Sequence, residues 1–503
     1  MVTSTTDGQP AAARISTGIS GLDAILGGGL TPQRVYLLEG NPGAGKATFS
    51  IQFLLAGVKN NQRGLYITLS ETGSELRAVA ASHGWSLDAI DLFELVNEAG
   101  LDVDAEQSIL YPSEVELGET TKGVMRRVDA IAPALVVFDS LSEMRLLAQN
   151  SLRYRRQILA LKHFFSSRNC TVLLLDDRTS EPGDLQLYSI SHGVISLEQS
   201  ARSYGAERRR LRVTKMRGID FAGGFHDFNL ETGGIRVFPR LVTDSPGPAF
   251  AAVVSGTGSV ELDQMLGGGL VAGTSTLLTG PSGVGKTTTV VQCVLTALQR
   301  GQRVAFYLFD EGRPTMLARA AMLGMDLQPA LDSGTLQLHE IDPADMSPGE
   351  FGFRLRCSVE NDAADVVVID SVNAYLQAMP DEKFLVLQMH EMLSWLNRQG
   401  VTTLLVLAQH GLIGDVQPPI DLSYLSDAIL LFRFFEAKGS VRSAISVVKS
   451  RATNHERTIR EFRIGPKGLQ VGPALADFEG VLSGLPIYRG NTPMLPATSA
   501  AHG

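Results

Sequence analysis

The chain has 503 residues, 44% hydrophobic and 19% charged, a balance that builds large cores and excludes wholesale disorder. Its three cysteines, Cys170, Cys293 and Cys357, are too few and too scattered for a disulfide scaffold or a zinc site. Net charge is −9, so overall charge does not draw it to nucleic acid or anionic membrane, and no apolar run reaches the ~18 residues needed to span a bilayer. With no secretory signal visible at the N-terminus, a soluble, cytoplasmic protein is expected.

In chain order, the first feature is a segment that occurs twice. Residues 22–30 (LDAILGGGL) return 240 residues later as 262–270 (LDQMLGGGL). Residues 40–46 (GNPGAGK) return at the same offset as 280–286 (GPSGVGK), and later landmarks drift to offsets of 231 and 234. So long a period means a duplicated domain. The expected organisation is a first domain over 14–243, a Pro/Gly/Ala-rich linker over 244–256, a second domain over 257–489 and a short tail over 490–503.

Each copy repeats one plan. A strand (35–39; 275–279) runs into a Gly-rich loop and a helix (47–58; 287–298). A second strand follows (65–69; 304–309), then a third ending in an aspartate (135–139; 366–370). A long helix (151–167; 381–398) leads to an unbroken apolar strand (171–175; 402–407). Continuous β-branched runs separated by helices predict a parallel sheet covered on both faces. Each copy closes with alternating strands around a Gly turn (224–238; 460–471). The class is α/β twice over: a mainly parallel central sheet flanked by helices, with a C-terminal antiparallel hairpin.

Residues 280–287 (GPSGVGKT) satisfy G-x-x-x-x-G-K-[ST] between a predicted strand and a helix. Glycines let backbone N–H groups converge on phosphate oxygens at a helix N-terminus. Lys286 reaches the β/γ-phosphates and the Thr287 hydroxyl ligates Mg²⁺. The first copy, 40–47 (GNPGAGKA), ends in Ala47, which has no oxygen for a metal, and Thr48 lies about 100° further round the helix. Phosphate binding through the backbone and Lys46 survives, while metal-assisted hydrolysis suffers.

Asp139 and Asp370 end apolar strands. Read alone, each fits a helix cap as well as a magnesium ligand. A phosphate loop about 90 residues upstream in both copies favours the metal role. An acidic pair can sit at the end of the second strand to orient an attacking water; copy two has Asp310-Glu311 there and copy one Ser70-Glu71, which read alone also fit solvated loop residues.

Taken together, residues 16–29 (STGISGLDAILGGG), both phosphate loops, the acidic pairs, the strand-end aspartates and two Lys-x-Arg signals before a hairpin resemble the KaiC family, within the RecA/DnaB-like ATPases. The resemblance covers about 14–485 and implies two tandem RecA-like domains in a double-ring homohexamer, with ATP and Mg²⁺ between protomers. It places ATP contacts in the first copy at Gly40, Gly43, Ala44, Gly45, Lys46, Ala47, Thr48, Ser82, Lys215, Met216 and Arg217. In the second they fall at Gly280, Ser282, Gly283, Val284, Gly285, Lys286, Thr287, Thr288, Lys449, Ser450, Arg451 and His455. The resemblance has Lys-x-Arg reach a neighbour's γ-phosphate, as an arginine finger does. Without it, Lys215/Arg217 and Lys449/Arg451 read as a solvated strand edge.

The resemblance further implies catalytic roles for Lys286, Asp310, Glu311, Lys449, Arg451 and Glu71, metal roles for Thr287, Asp370 and Asp139, and autophosphorylation at Ser423. Tyr424 stands where the family has a second, smaller acceptor. The first copy departs from the pattern at Ala47 and at Ser70, where the family's catalytic glutamate sits, and Asp310 is one methylene shorter than its family counterpart. The short tail after Arg489 replaces an extended one that recruits an activating partner.

The expected function is a KaiC-like ATPase with autokinase capacity, acting as a hexameric signalling or clock-type protein with catalysis concentrated in the second copy. Two other classes compete with it, a non-catalytic scaffold glued by nucleotide and a DNA-dependent motor. His163, His410 and His455 read as packing or surface residues, although His455 lies near Lys449/Arg451. The run Arg208-Arg209-Arg210 reads as a solvated strand end or subunit contact.

Overall fold

The computed structural model describes residues 13–95, 112–148, 150–178, 186–201, 205–241, 251, 253–377, 385–409, 411, 422–437, 439–466, 468–482 and 487–488. The chain divides into two compact units, Met1–Arg240 and Leu241–Gly503. Among the described residues no helix is long and apolar enough to cross a membrane.

The first unit is built on a nine-stranded sheet. Its order runs Ile90–Glu94, Gly64–Thr68, Leu135–Asp139, Thr171–Asp176, Val35–Gly40, Gly193–Ser200, Arg208–Met216, Phe225–Glu231, Gly234–Phe238. The first six strands are parallel and the last three join antiparallel. The central strand Val35–Gly40 is buried at every position. Alternate residues serve opposite faces: Tyr36 and Leu38 pack in one core, Val35 and Leu37 in the other.

The second unit repeats this order. It runs Leu336–Glu340, Val304–Leu308, Val366–Asp370, Thr402–Gln409, Ser275–Pro281, Ala428–Ala437, Ser440–Ser450, Ile459–Gly465, Gly468–Ala474. Its central strand divides its side chains the same way, Leu278 to one core and Leu277 to the other. Two tandem RecA-like domains with C-terminal antiparallel hairpins result.

Several elements escaped sequence patterning. The edge strands Ile90–Glu94 and Leu336–Glu340 are half-buried and carry charges, so no apolar run announces them. The helix expected over 381–398 is described as Leu385–Arg398, since 381–384 lie outside the described residues. Arg208 corrects the reading of its basic triplet. It forms a nearly buried ion pair with Asp227 on the neighbouring strand at 3.1 Å. Arg442 and Glu461 make the same cross-strand pair at 3.1 Å in the second unit.

The repeated Leu-Asp segment is structural. Asp23 Oδ1 accepts from the Thr17 backbone N–H at 2.8 Å and its hydroxyl at 2.7 Å, tying the turn before Ser20–Ile25. Asp263 does the same for Thr257, at 2.7 and 2.8 Å. This explains the motif's return without giving it chemistry.

Candidate active site

Both phosphate loops leave the C-terminal end of the central strand, where parallel α/β sheets bind ligands. In the second unit Gly285 holds φ 108° and precedes the helix Lys286–Gln299. A Cβ there would stand 2.2 Å from Ile464 Cδ1, so both the left-handed backbone and the close approach require glycine. The turn aims the following N–H groups and Lys286 at one spot. Lys286 is buried, and its Nζ donates to the carbonyls of Gly280 at 2.9 Å and Pro281 at 2.6 Å. Burial lowers its pKa to about 8, against the opposing pull of Asp370.

The Thr287 hydroxyl donates to Asp370 Oδ2 at 2.6 Å. Asp370 is buried, and that burial raises its pKa to about 6; the Thr287 bond works the other way and the Asp310 charge adds to the rise. The Ser371 hydroxyl donates to Asp310, and Glu311 pairs with Arg319 at 2.7 Å. These groups line a cavity of about 520 Å³ with Ser282, Gly283, Gly285, Thr288, Val406 and Ala408. A hydroxyl and one carboxylate on a single spot suit Mg²⁺, which takes one or two protein oxygens beside those of phosphate. Thr287 and Asp370 fit that ion.

The first unit keeps the turn and the lysine's carbonyl bonds but differs around them. Gly45, at φ 100°, makes the same turn into Lys46–Lys59, and Lys46 Nζ donates to Gly40 O at 2.8 Å and Asn41 O at 3.2 Å. It also forms an ion pair with Asp177 at 2.7 Å. Ala47 gives nothing to Asp139. Its Oδ2 instead accepts from the Tyr66 hydroxyl at 2.6 Å, and burial raises its pKa. Thr48 is buried and turned to His83 Nε2 at 3.3 Å. Glu71 Oε2 is buried without a hydrogen-bond partner, and burial followed by the charges of Asp139 and Glu75 raises the Glu71 pKa. Ser82 is exposed and bonds to Val79 O at 2.7 Å within its own helix.

The two Lys-x-Arg signals do not reach the phosphate loop of their own unit. Lys215 Nζ donates to the carbonyls of Tyr188 and Ser191, and Arg217 to that of Ser189 at 2.9 Å. Lys449 Nζ donates to Ser423 O at 2.6 Å and Ser426 O at 2.7 Å, and Arg451 to Tyr424 O at 3.1 Å. In each unit the two cations therefore grip the segment just before the sixth parallel strand, the short helix Gln186–Ile190 with Ser191 in the first and a turn in the second. In the second unit that turn holds Ser423, half-buried, and Tyr424, exposed. His455 is half-buried, and His410 lies outside the described residues.

The family model described as ATPase: KaiC matches residues 15–242 and 255–476. The chain belongs to the KaiC ATPase family. It is 25% identical over 498 residues to the circadian clock protein KaiC3 of Synechocystis sp., covering 97% of each chain. It is 27% identical over 489 residues to the circadian clock oscillator protein KaiC of Synechococcus elongatus, covering 95% of this chain and 92% of the relative. The KaiC of Thermostichus vulcanus is 25% identical over 484 residues, with 94% and 92% covered.

Membership in the KaiC family accounts for the paired loops, and the structure adds residues that motif reading missed. Arg319 sits two turns into the helix Arg313–Met322, and only its place after the acidic pair signals it. Asp177 directly follows the buried parallel strand Thr171–Asp176, forming with Asp176 a carboxylate pair at the end of the sheet where ligands bind. Tyr66 reads as core in an apolar strand, and nothing in the sequence pairs its hydroxyl with Asp139.

Proposed function

We propose that this protein is a KaiC-like, Mg²⁺-dependent ATPase whose hydrolysis resides in the second unit and whose first unit holds nucleotide for assembly. The observation that carries the proposal is the Thr287 hydroxyl set 2.6 Å from the Asp370 carboxylate, beside a buried Lys286, in a cavity of about 520 Å³. The loop N–H groups and the Lys286 ammonium bind and orient the triphosphate and balance charge on the transferring phosphoryl. Bound Mg²⁺, held by Thr287 and Asp370, supplies further charge neutralisation at the phosphate oxygens. Asp310, fixed by Ser371, accepts a hydrogen bond from the attacking water, and Glu311 stands beside it with its charge balanced by Arg319.

Assembly as a double-ring homohexamer belongs to the same reading, with Lys449 and Arg451 completing a neighbour's second-unit site and Lys215 and Arg217 a neighbour's first-unit site. Ser423 is the proposed phosphoacceptor, and the role is clock-type signalling. Two features support the acceptor assignment: Ser423 lies in the turn gripped by Lys449 and Arg451, and a serine oxygen gives compact in-line access that the longer Tyr424 side chain does not.

The test takes purified protein through native mass spectrometry with and without ATP, then phosphate release and intact mass. Hexamers with ATP, phosphate release and a gain of one phosphate at Ser423 are expected. Wild-type phosphate release from the Lys286→Ala variant would move the chemistry out of the second unit and end the reading.

A further inference from the structure

The first pocket satisfies itself where the second stays open. Lys46 spends two donors on loop carbonyls, as Lys286 does, but directs a third at the Asp177 carboxylate, 2.7 Å away. The position equivalent to Asp177 in the second unit is Ala408, by the register of each last inner strand against its central strand. Ala408 lines the open cavity, and among the described residues no ion pair joins Lys286 to a carboxylate. An anionic oxygen at that distance from the loop lysine is what a terminal phosphate would present.

The metal position is filled in a parallel way. Tyr66 is the equivalent of Phe306, since Thr68 and Leu308 pair with Asp139 and Asp370 in the same register. Thr287 offers Asp370 a hydroxyl from the ligand side of the helix. In the first unit Ala47 offers none, and Asp139 takes its hydrogen bond from Tyr66 on the neighbouring strand.

The charges differ as well. Glu71, Asp139 and Asp177 face Lys46 in the first pocket, and the position equivalent to Arg319 is Val79. Nearby Arg145 and Arg178 are matched already, by Asp176 at 3.2 Å and Glu39 at 2.9 Å. A third phosphate without its metal would enter a site with the same number of carboxylates as the second pocket, where Asp310, Glu311 and Asp370 meet Lys286 and Arg319, but with one fewer positive charge.

We propose that the first unit's loop is a magnesium-independent nucleoside-diphosphate site, in which Asp177 stands on Lys46 where a third phosphate would lie. This deepens the reading that the first unit holds nucleotide, and it rests on that reading. A diphosphate needs the loop N–H groups and the Lys46 charge but neither the terminal position nor a metal between its outer oxygens. A triphosphate must displace Asp177 and place its end among three carboxylates.

The experiment uses the full chain carrying Lys286→Ala, titrated with N-methylanthraniloyl ADP and N-methylanthraniloyl ATP, each in EDTA and in Mg²⁺. The same chain with Lys46→Ala added supplies the blank. ADP is expected to bind about tenfold more tightly than ATP, as one extra charge contact would give in a partly screened site. Mg²⁺ is expected to change ADP binding less than twofold or so, in line with the metal-poor site. Asp177→Asn, and separately Asp177→Ala, is expected to bring ATP level with ADP. Equal affinities in the parent, a marked gain with Mg²⁺, or a preference that survives both Asp177 variants would each overturn the proposal. Should Lys46→Ala bind as much probe as its parent, the nucleotide reading of this loop falls along with it, which separates the two failures.

Discussion

The two halves of the chain bury an aspartate at the same sheet position and satisfy it from opposite sides. Asp370 is met by Thr287 from the helix that follows the phosphate loop, and Asp139 by Tyr66 from the adjacent strand, both at 2.6 Å. The lysines divide likewise: Lys286 faces an open cavity, and Lys46 faces Asp177. A duplicated fold can therefore keep its hydrogen-bond count while moving a hydroxyl from the ligand side of a carboxylate to the protein side. Stability survives that move, because a buried carboxylate needs a donor but not any particular one. On the proposed reading metal chemistry would not survive it, because only the ligand-side oxygen can share an ion with phosphate.

The largest test of this contrast exchanges the two lysines for alanine. Lys286→Ala is expected to reduce phosphate release by about 10³-fold or more, the scale of losing a preorganised charge at a transferring phosphoryl. Lys46→Ala is expected to leave phosphate release within about twofold and to reduce the hexamer signal in native mass spectrometry instead, since its partner Asp177 already neutralises it. A reversed ranking would assign the chemistry to the wrong half. Next in size, Asp370→Asn should cost roughly a hundredfold in phosphate release, and EDTA should reproduce that loss in the parent but add little in the variant.

A smaller effect follows from pH. In the proposed site Lys286 would bind phosphate as the ammonium, and with its pKa lowered to about 8 that charge is lost as pH rises through about 8, so ATP affinity should fall on the alkaline side. In the proposed site Asp370 would hold Mg²⁺ as the carboxylate, and with its pKa raised to about 6 that form is lost as pH falls through about 6. Mg²⁺-dependent ATP binding at the second unit should peak between these values and weaken by about tenfold per pH unit beyond them. Bound phosphate pulls the lysine limb upward, so the acid limb is the sharper check. Binding at a metal-free first pocket should lack the acid limb, and an identical acid limb in both pockets would erase the distinction.

Much of this contrast was legible in the sequence and part of it was not. Parallel strands showed as unbroken apolar runs because both sheet faces are covered, and the phosphate loops showed because their glycines and lysine stand at fixed spacing. Ala47 and Ser70 stood out as departures from that spacing for the same reason. Tyr66 and Asp177 stayed hidden, since what matters in each is a partner distant in sequence, Asp139 for Tyr66 and Lys46, beyond the adjacent strand, for Asp177. A tyrosine in an apolar strand looks like core, and it is core on every side but one. Arg208 misled for a related reason: three consecutive arginines suggest solvent, while a strand sends the first toward Asp227 and alternates the rest.

The smallest and most discriminating prediction moves the hydroxyl back. Tyr66→Phe alone strips the buried Asp139 of its donor and should destabilise the first unit by about 1–3 kcal/mol in chemical unfolding. Ala47→Thr alone adds a hydroxyl beside an aspartate that is already satisfied, and it should change neither stability nor metal response appreciably. The double variant reproduces the second unit's pair, Thr287 with Phe306. In it the new threonine takes over the hydrogen bond to Asp139, so stability should recover by more than the sum of the single effects predicts. Mg²⁺ should then strengthen nucleotide binding at the first loop by about threefold, a coupling of the size seen between groups in direct contact. Additive stabilities would mean that Tyr66 does not stand in for Thr287. Recovery without any metal response would mean that Asp177, rather than the displaced hydroxyl, keeps the ion out, and adding Asp177→Asn to the double variant would then restore the response.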